Sequence, residues 1–313
     1  MPTPSLNLAK LTTYPLASRR SKVNHAAFSR VCRKGASFRQ FYQSLPDILA
    51  AKEFDRVVQA IVQARRRRKP VLWMLGAHVI KVGLNPLLIH LIRRKIITAL
   101  ALNGAGAIHD FELAYMGSTS EDVAAALADG SFGMAEETSR LINRAIQDGA
   151  KRGWGLGYSV GAMLVKRRLP YRQLSLLATC YELGLPATVN VAIGTDIIHQ
   201  QATADGAAIG QTSLTDFRRL AEVVSRLGGG GVVANLGSAV VLPEVFLKAV
   251  SVSRNLGHSV KDFTACDFDM IRHYRPTENV LKRPTLLGGT AVAITGHHEL
   301  MIPLLAQAVI EEL

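Results

Sequence analysis

The chain has 313 residues, 48% of them hydrophobic, with 37 Lys and Arg against 24 Asp and Glu. That apolar fraction excludes a largely disordered protein and is enough for one large core. No apolar run reaches the ~18 residues a bilayer crossing needs, Met1 to Leu16 lacks the core of a secretory signal, and Cys32, Cys180 and Cys266 are too few for a disulfide framework. A soluble, cytoplasmic protein without a membrane partner is expected.

The net charge of +13 is concentrated at one end. Residues 1–69 hold 15 Lys and Arg and 3 Asp and Glu, whereas the remainder hold 22 and 21. No acid precedes Asp47, and Arg65-Arg66-Arg67-Arg68-Lys69 closes the segment. Residues 1–45 therefore read as a basic, flexible arm, with organelle import as an alternative role for it, and residues 46–313 as one domain. Nucleic acid is not expected as a partner, because no recognised module accompanies the basic run.

From Pro70 onward short apolar runs alternate with helical patterns. Val71–Leu75 reads as a buried strand, Asn85–Arg94 as a helix opened near Pro86, and Ile96–Leu102 as the second strand, running into a turn at Asn103-Gly104-Ala105-Gly106. Helices are expected over 121–128, 135–152, 160–168 and 172–183, and a strand over Ala187–Ile193. A helix over 214–227, a strand over Val232–Leu236, a helix over 243–254, a strand over Ala291–Thr295 and a closing helix from Glu299 complete the pattern. This alternation predicts an α/β fold: a doubly wound, mostly parallel sheet with helices on both faces.

Ligands of such sheets bind beyond the carboxyl ends of the strands. The loops there carry Ala77-His78 after the first strand, His109, Asp110 and Glu112 after the second, Asp196 and His199 after the third, and Gly237-Ser238 with Glu244 after the fourth. Glycines let backbone approach a ligand closely, and several carboxylates at one sheet edge suit a cationic ligand. There is no G-x-G-x-x-G after the first strand, and Gly228–Gly231 precedes a strand, which makes it a helix-to-strand turn and not a phosphate cradle. His297-His298 reads as a helix-start or surface pair, and no metal site is expected.

Residues from about 70 to 313 resemble deoxyhypusine synthase and its homospermidine synthase relatives. The resemblance rests on Asn103-Gly104-Ala105-Gly106-Ala107-Ile108-His109-Asp110, Ala192-Ile193-Gly194-Thr195-Asp196, Gly237-Ser238-Ala239-Val240-Val241, Arg275-Pro276-Thr277-Glu278-Asn279-Val280 and Pro303-Leu304-Leu305, in family order. It implies a Rossmann-like fold, a homotetramer or dimer with sites at subunit interfaces, and NAD and a polyamine sharing one pocket. NAD would be regenerated, so that the net reaction is transfer of an aminobutyl-type group. Ala77, His78, Gly104, Ala105, Gly106, Asp196, Gly237 and Ser238 would contact the cofactor, and Asp110, Glu244 and Glu278 the amine. The family's catalytic lysine falls at Pro284, which has no side-chain amine. Lys282 or Lys81 could stand in for it, and Lys282, with Glu278 and His109, is the catalytic set expected of a variant mechanism. The expected function is thus an NAD-dependent transferase acting on a cationic amine, and the alternative is a catalytically silent paralogue acting as a binding or regulatory subunit.

Overall fold

A computed structural model describes residues 6–313; the first five residues of the expected arm lie outside the described residues. The chain divides into two compact units between Lys52 and Glu53. In the first, short 3-10 turns precede helix α1 (Phe38–Tyr42), which Ser37 and Gln40 start with a capping box. None of residues 6–52 is buried, so this unit has no core of its own. The division falls inside α2 (Leu49–Arg66), whose Phe54, Val57, Val58, Ile61 and Val62 form a buried stripe at helical spacing.

The second unit alternates strands and helices: β1 (Val71–Leu75), α3 (Ala77–Lys81), α4 (Asn85–Arg93), β2 (Ala99–Asn103) and α5 (Gly104–Met116). The helices α6 (Val123–Asp129), α7 (Glu136–Lys151), α8 (Leu156–Lys166) and α9 (Leu176–Leu183) lead to β3 (Ala187–Asn190). Then come α10 (Gly206–Val224), β4 (Val232–Leu236), α11 (Val241–Asn255) and β5 (Thr264–Asp269). A π-helical stretch, Pro276–Lys282, runs into α12 (Arg283–Thr285), followed by β6 (Thr290–Thr295) and α13 (His298–Glu312).

The six strands lie in the order β3-β2-β1-β4-β5-β6, and every neighbouring pair is parallel. The expected doubly wound α/β fold is therefore present, with its topological switch between β1 and β4. All five residues of β1 are buried, as a strand covered on both faces must be. On one face Leu72, Met74, Val233 and Ala265 pack under Leu220 and Val224 of α10 and Phe246 of α11. On the other, Phe54 of α2 meets Phe268 of β5 edge-on at 6.2 Å. Each fully buried side chain of this size contributes roughly 1.5–3 kcal/mol. Among the described residues no helix is long and apolar enough to cross a membrane.

Three elements differ from expectation. The turn at Gly104–Gly106 is instead the first turn of α5: the Asn103 side chain accepts from the Gly106 amide at 2.9 Å and caps it. β5 contains Asp267 and Asp269, polar residues that do not announce a buried strand, and Asn235 of β4 donates to Asp267 across the sheet at 2.7 Å. The Arg275–Val280 motif lies mostly on the π-helix, a winding that sequence periodicity does not signal.

Candidate functional site

The carboxyl edge of the sheet ends in a row of amides and acids: Asn103 of β2, Asn190 of β3, Asn235 of β4, and Asp267 and Asp269 of β5. Asn103 is register partner of Asn190, and Asn235 of Asp267. Buried polar atoms are normally paired. Among the described residues nine are not, and five of these, Asn190 Nδ2, Asp196 Oδ2, His199 Nε2, Asn235 Oδ1 and His298 Nδ1, lie on this edge or in loops and helix starts that leave it. Donors and acceptors without partners, concentrated where this fold binds ligands, mark the candidate site.

At the β1–β4 switch the loops are pressed together. A Cβ on Gly76 would lie 2.0 Å from the Gly237 carbonyl oxygen, and one on Gly237 would lie 2.6 Å from the His298 ring. These glycines thus serve loop-on-loop packing first. Gly237 donates to the Phe268 carbonyl at 3.0 Å, and His298 Nε2 lies 3.1 Å from the same oxygen. A carbonyl only accepts, so Nε2 carries the proton, and in the neutral ring Nδ1 is a free acceptor. His78 stacks obliquely on His298 with centroids 5.7 Å apart, and Ser238 is buried beside them. The structure thus groups Ala77, His78, Gly237 and Ser238, and adds His298, which the sequence placed at a helix start or the surface; only His297 is exposed.

Burial, with the nearby Asp269 adding to it, pushes the Asp267 carboxyl up to about 6 against the hydrogen bond from Asn235. Asp269 in turn lies 3.8 Å from His273. On the rim, Glu244 accepts from Asn279 at 2.8 Å and pairs with Arg275 at 3.3 Å and with Lys248. Lys248 is the main reason its carboxyl sits below the usual range. Glu278 pairs with Lys282 at 2.7 Å and with Arg283 at 3.9 Å. Glu244 and Glu278 are therefore already matched by cations of this chain. Lys282, largely exposed and held in that pair, lacks the desolvated setting that makes a lysine nucleophilic. Pro284 is buried, and its carbonyl accepts from Arg254 at 2.6 Å.

Gly104, Ala105 and Asp196 do come together, though not as a phosphate cradle. A Cβ on Gly104 would lie 1.8 Å from Asp196 Oδ2, and the Asp196 carboxylate accepts from the Ala105 amide. The chain's own anion occupies the start of α5, where a phosphate would otherwise be favoured. Burial raises the Asp196 carboxyl, offset in part by His199. His199 Nδ1 accepts from the Gly194 and Asp196 amides, leaving Nε2–H as an unpartnered donor.

Two expected site residues serve elsewhere. Asp110 is fully buried, and its carboxylate accepts from Asn85, Ser175 and the Leu176 and Leu177 amides, which caps α9. With its acceptor positions filled inside the protein, it does not reach an amine ligand in this conformation. His109 Nδ1 lies 2.6 Å from Thr119, whose hydroxyl donates to Glu112. Burial alone would raise Glu112, but the nearby His109, 3.7 Å away, and the hydrogen bond from Thr119 outweigh it and lower the carboxyl. His78, His109 and His199 each have different partners. Among the described residues no group of three His, Cys, Asp or Glu side chains is placed to hold a metal ion.

No family model matches the chain, and no curated protein matches it. Among solved structures, a cysteine mutant of AgrE in complex with L-arginine is similar at 16% identity and a TM-score of 0.51, over 89% of this chain and 34% of AgrE. AgrE in a ternary complex with ornithine and NAD+ gives 16% and 0.49, over 88% and 34%. A LOR/SDH protein of Methanococcus maripaludis S2 gives 15% and 0.50, over 85% and 71%. A protein described as a deoxyhypusine synthase of Entamoeba histolytica gives 10% and 0.46, over 89% and 94%, too loose a likeness to bear on function. This chain spans about a third of the length of AgrE. At these identities the likeness is one of fold: the chain has the α/β, Rossmann-like architecture of these proteins.

Proposed function

We propose that this chain is an NAD-dependent enzyme that oxidises a cationic amine at the carbon beside its nitrogen, as the first half of an alkyl-group transfer. The observation that carries the reading is the set of unpartnered buried polar atoms on the carboxyl edge of a 3-2-1-4-5-6 sheet. The donor set fits a dinucleotide in part. Asp196 Oδ2 suits a ribose hydroxyl or an ammonium and opposes a phosphate, whereas Asn190 Nδ2 and His199 Nε2 are donors free for an amide or hydroxyl oxygen. NAD, when bound, would supply the hydride acceptor that turns the amine into an imine and would give the hydride back once a second amine has replaced the first.

The chain's own residues divide the remaining work. Asp267 and Asp269, buried at the end of β5, are carboxylates not neutralised by a lysine or arginine pair, and they attract the substrate ammonium. His298 Nδ1 is placed to take the proton that the amine nitrogen releases, with Nε2–H anchored on Phe268 to fix the tautomer. With proline at 284 and Lys282 tied to Glu278, the imine passes directly to the second amine and not through an enzyme lysine. L-arginine and ornithine, the ligands seen with AgrE, are amines of the proposed class, as are polyamines. Native mass spectrometry of the purified protein should show a bound dinucleotide, and absorbance at 340 nm should rise with NAD and one member of an amine panel. Absence of both up to millimolar ligand would overturn the reading. The silent-paralogue alternative, favoured by the Asp196 carboxylate at the start of α5, predicts that absence.

A further inference from the structure

At the opposite end of the sheet, the amino ends of β1 and β2 and the turns before β3, β4 and β5 surround a cavity of about 1190 Å³. Six cations line it, Arg65, Arg67, Arg68, Lys69, Lys95 and Arg226, and no carboxylate does. Lys69 is engaged with the Gly228 carbonyl at 2.7 Å, and Arg226 has a long ion pair to Glu222 at 3.9 Å. Arg65, Arg67, Arg68 and Lys95 have no acidic partner among the described residues, which leaves four charges uncompensated on one concave surface. Cations complement the ends of α2 and α4, but that accounts for one or two at each helix and not for convergence from two helices and a turn.

Arg68 and Lys95 both have φ +55°, in the left-handed region at the ends of α2 and α4, where glycine is the least strained residue. Arg168 follows α8 in the same way at φ +54° outside the cavity, so this backbone is shared by several helix ends of the chain.

We infer that this cavity binds the phosphodiester backbone of a nucleic acid. Discrete phosphate sites use free backbone amides, but the Gly229, Gly230 and Gly231 amides in the adjoining turn all donate to carbonyls of this chain. What remains is several side-chain charges over a wide surface, without an aromatic stacking platform among the lining residues. That combination suits repeated phosphates and gives no base readout.

The test is fluorescence anisotropy of the full-length protein with labelled 20-nucleotide single-stranded RNA and a 20-base-pair DNA duplex, across a salt series. The informative variant is Arg67→Gln/Arg68→Gly/Lys95→Gly, because glycine relieves the backbone at two positions while removing their charges. It should melt no lower than the parent, bind either probe at least about tenfold more weakly, and show a log–log salt slope shallower by roughly 2–3. The control Arg19→Gln/Arg20→Gln/Lys22→Gln makes the same charge change in the basic segment. Affinity and slope unchanged in the cavity variant, an equal loss in the control, or binding confined to tripolyphosphate or anionic vesicles would overturn the inference. If the triple variant fails to fold, Arg67→Gln alone should still lower the slope by about one cation's worth.

Discussion

Asp110 sets two large effects against each other. It receives four hydrogen bonds, which favour the carboxylate, yet it is wholly removed from water, which favours the neutral acid. Burial prevails and carries the group from 3.8 to about 6. Between roughly pH 4 and 6 the folded protein therefore holds a proton that the unfolded chain has released. The stabilisation is complete below the unfolded value and is lost as pH rises through about 6. A shift of roughly two units corresponds to ~3 kcal/mol. In Asp110→Asn the site cannot titrate, and its amide faces donors, so that at least one of the Ser175, Leu176 and Leu177 groups loses its acceptor at a cost of about 2–3 kcal/mol. Urea denaturation at pH 4.5, 6.0 and 7.5 should show the variant less stable by about that amount at pH 4.5, with the gap closing towards zero at pH 7.5. A gap that widens with pH would mean that the four hydrogen bonds hold the carboxyl below its ordinary value, and would refute the primacy of burial.

Gly237→Ala places a methyl 2.6 Å from the His298 ring at φ +71°, whereas Gly83→Ala meets an open site at φ +81°. The first should cost about 1–3 kcal/mol more in denaturant than the second, and equal losses would show that the two loops separate easily. Burial, reinforced by Asp110, pushes the Cys180 thiol up to about 12, and burial beside Asp267 also raises Cys266. Ellman's reagent should therefore titrate one thiol, Cys32, in the folded protein and three in denaturant; two fast thiols in the native state would contradict this. Borohydride added with NAD and an amine should leave no adduct on Lys282, as its pairing with Glu278 requires. A peptide-mapped adduct that vanishes in Lys282→Arg would restore a lysine-imine route.

The parallel sheet was legible because strands covered on both faces are continuous apolar runs, as in Val71–Leu75 and Val232–Leu236. β5 escaped for the converse reason. Its Asp267 becomes tolerable in a buried strand only through Asn235, thirty-two residues away, and long-range pairing leaves no local periodicity. The start of α5 was hidden by two glycines of low helical propensity. Gly104 is there because Asp196, from a distant loop, fills the space its Cβ would need.

The same distinction governs the site. That Ala77, His78, Gly237 and Ser238 lie near one another was legible from strand ends alone, since topology fixes where those loops emerge. The place of His298 was not, because it opens the last helix, and only the fold inserts it beneath Gly237. Composition gives Asp110 and Asp196 the same reading. Each is an acid in a strand-end loop or early helical turn, where a ligand carboxylate is expected, and each accepts backbone amides at the start of a helix. What separates them is their remaining acceptor capacity: all of Asp110's is used, whereas Asp196 Oδ2 is buried without a partner. Asp110 accordingly belongs to the architecture, whereas Asp196, with His298 and the Asn235–Asp267 pair, belongs to the candidate site.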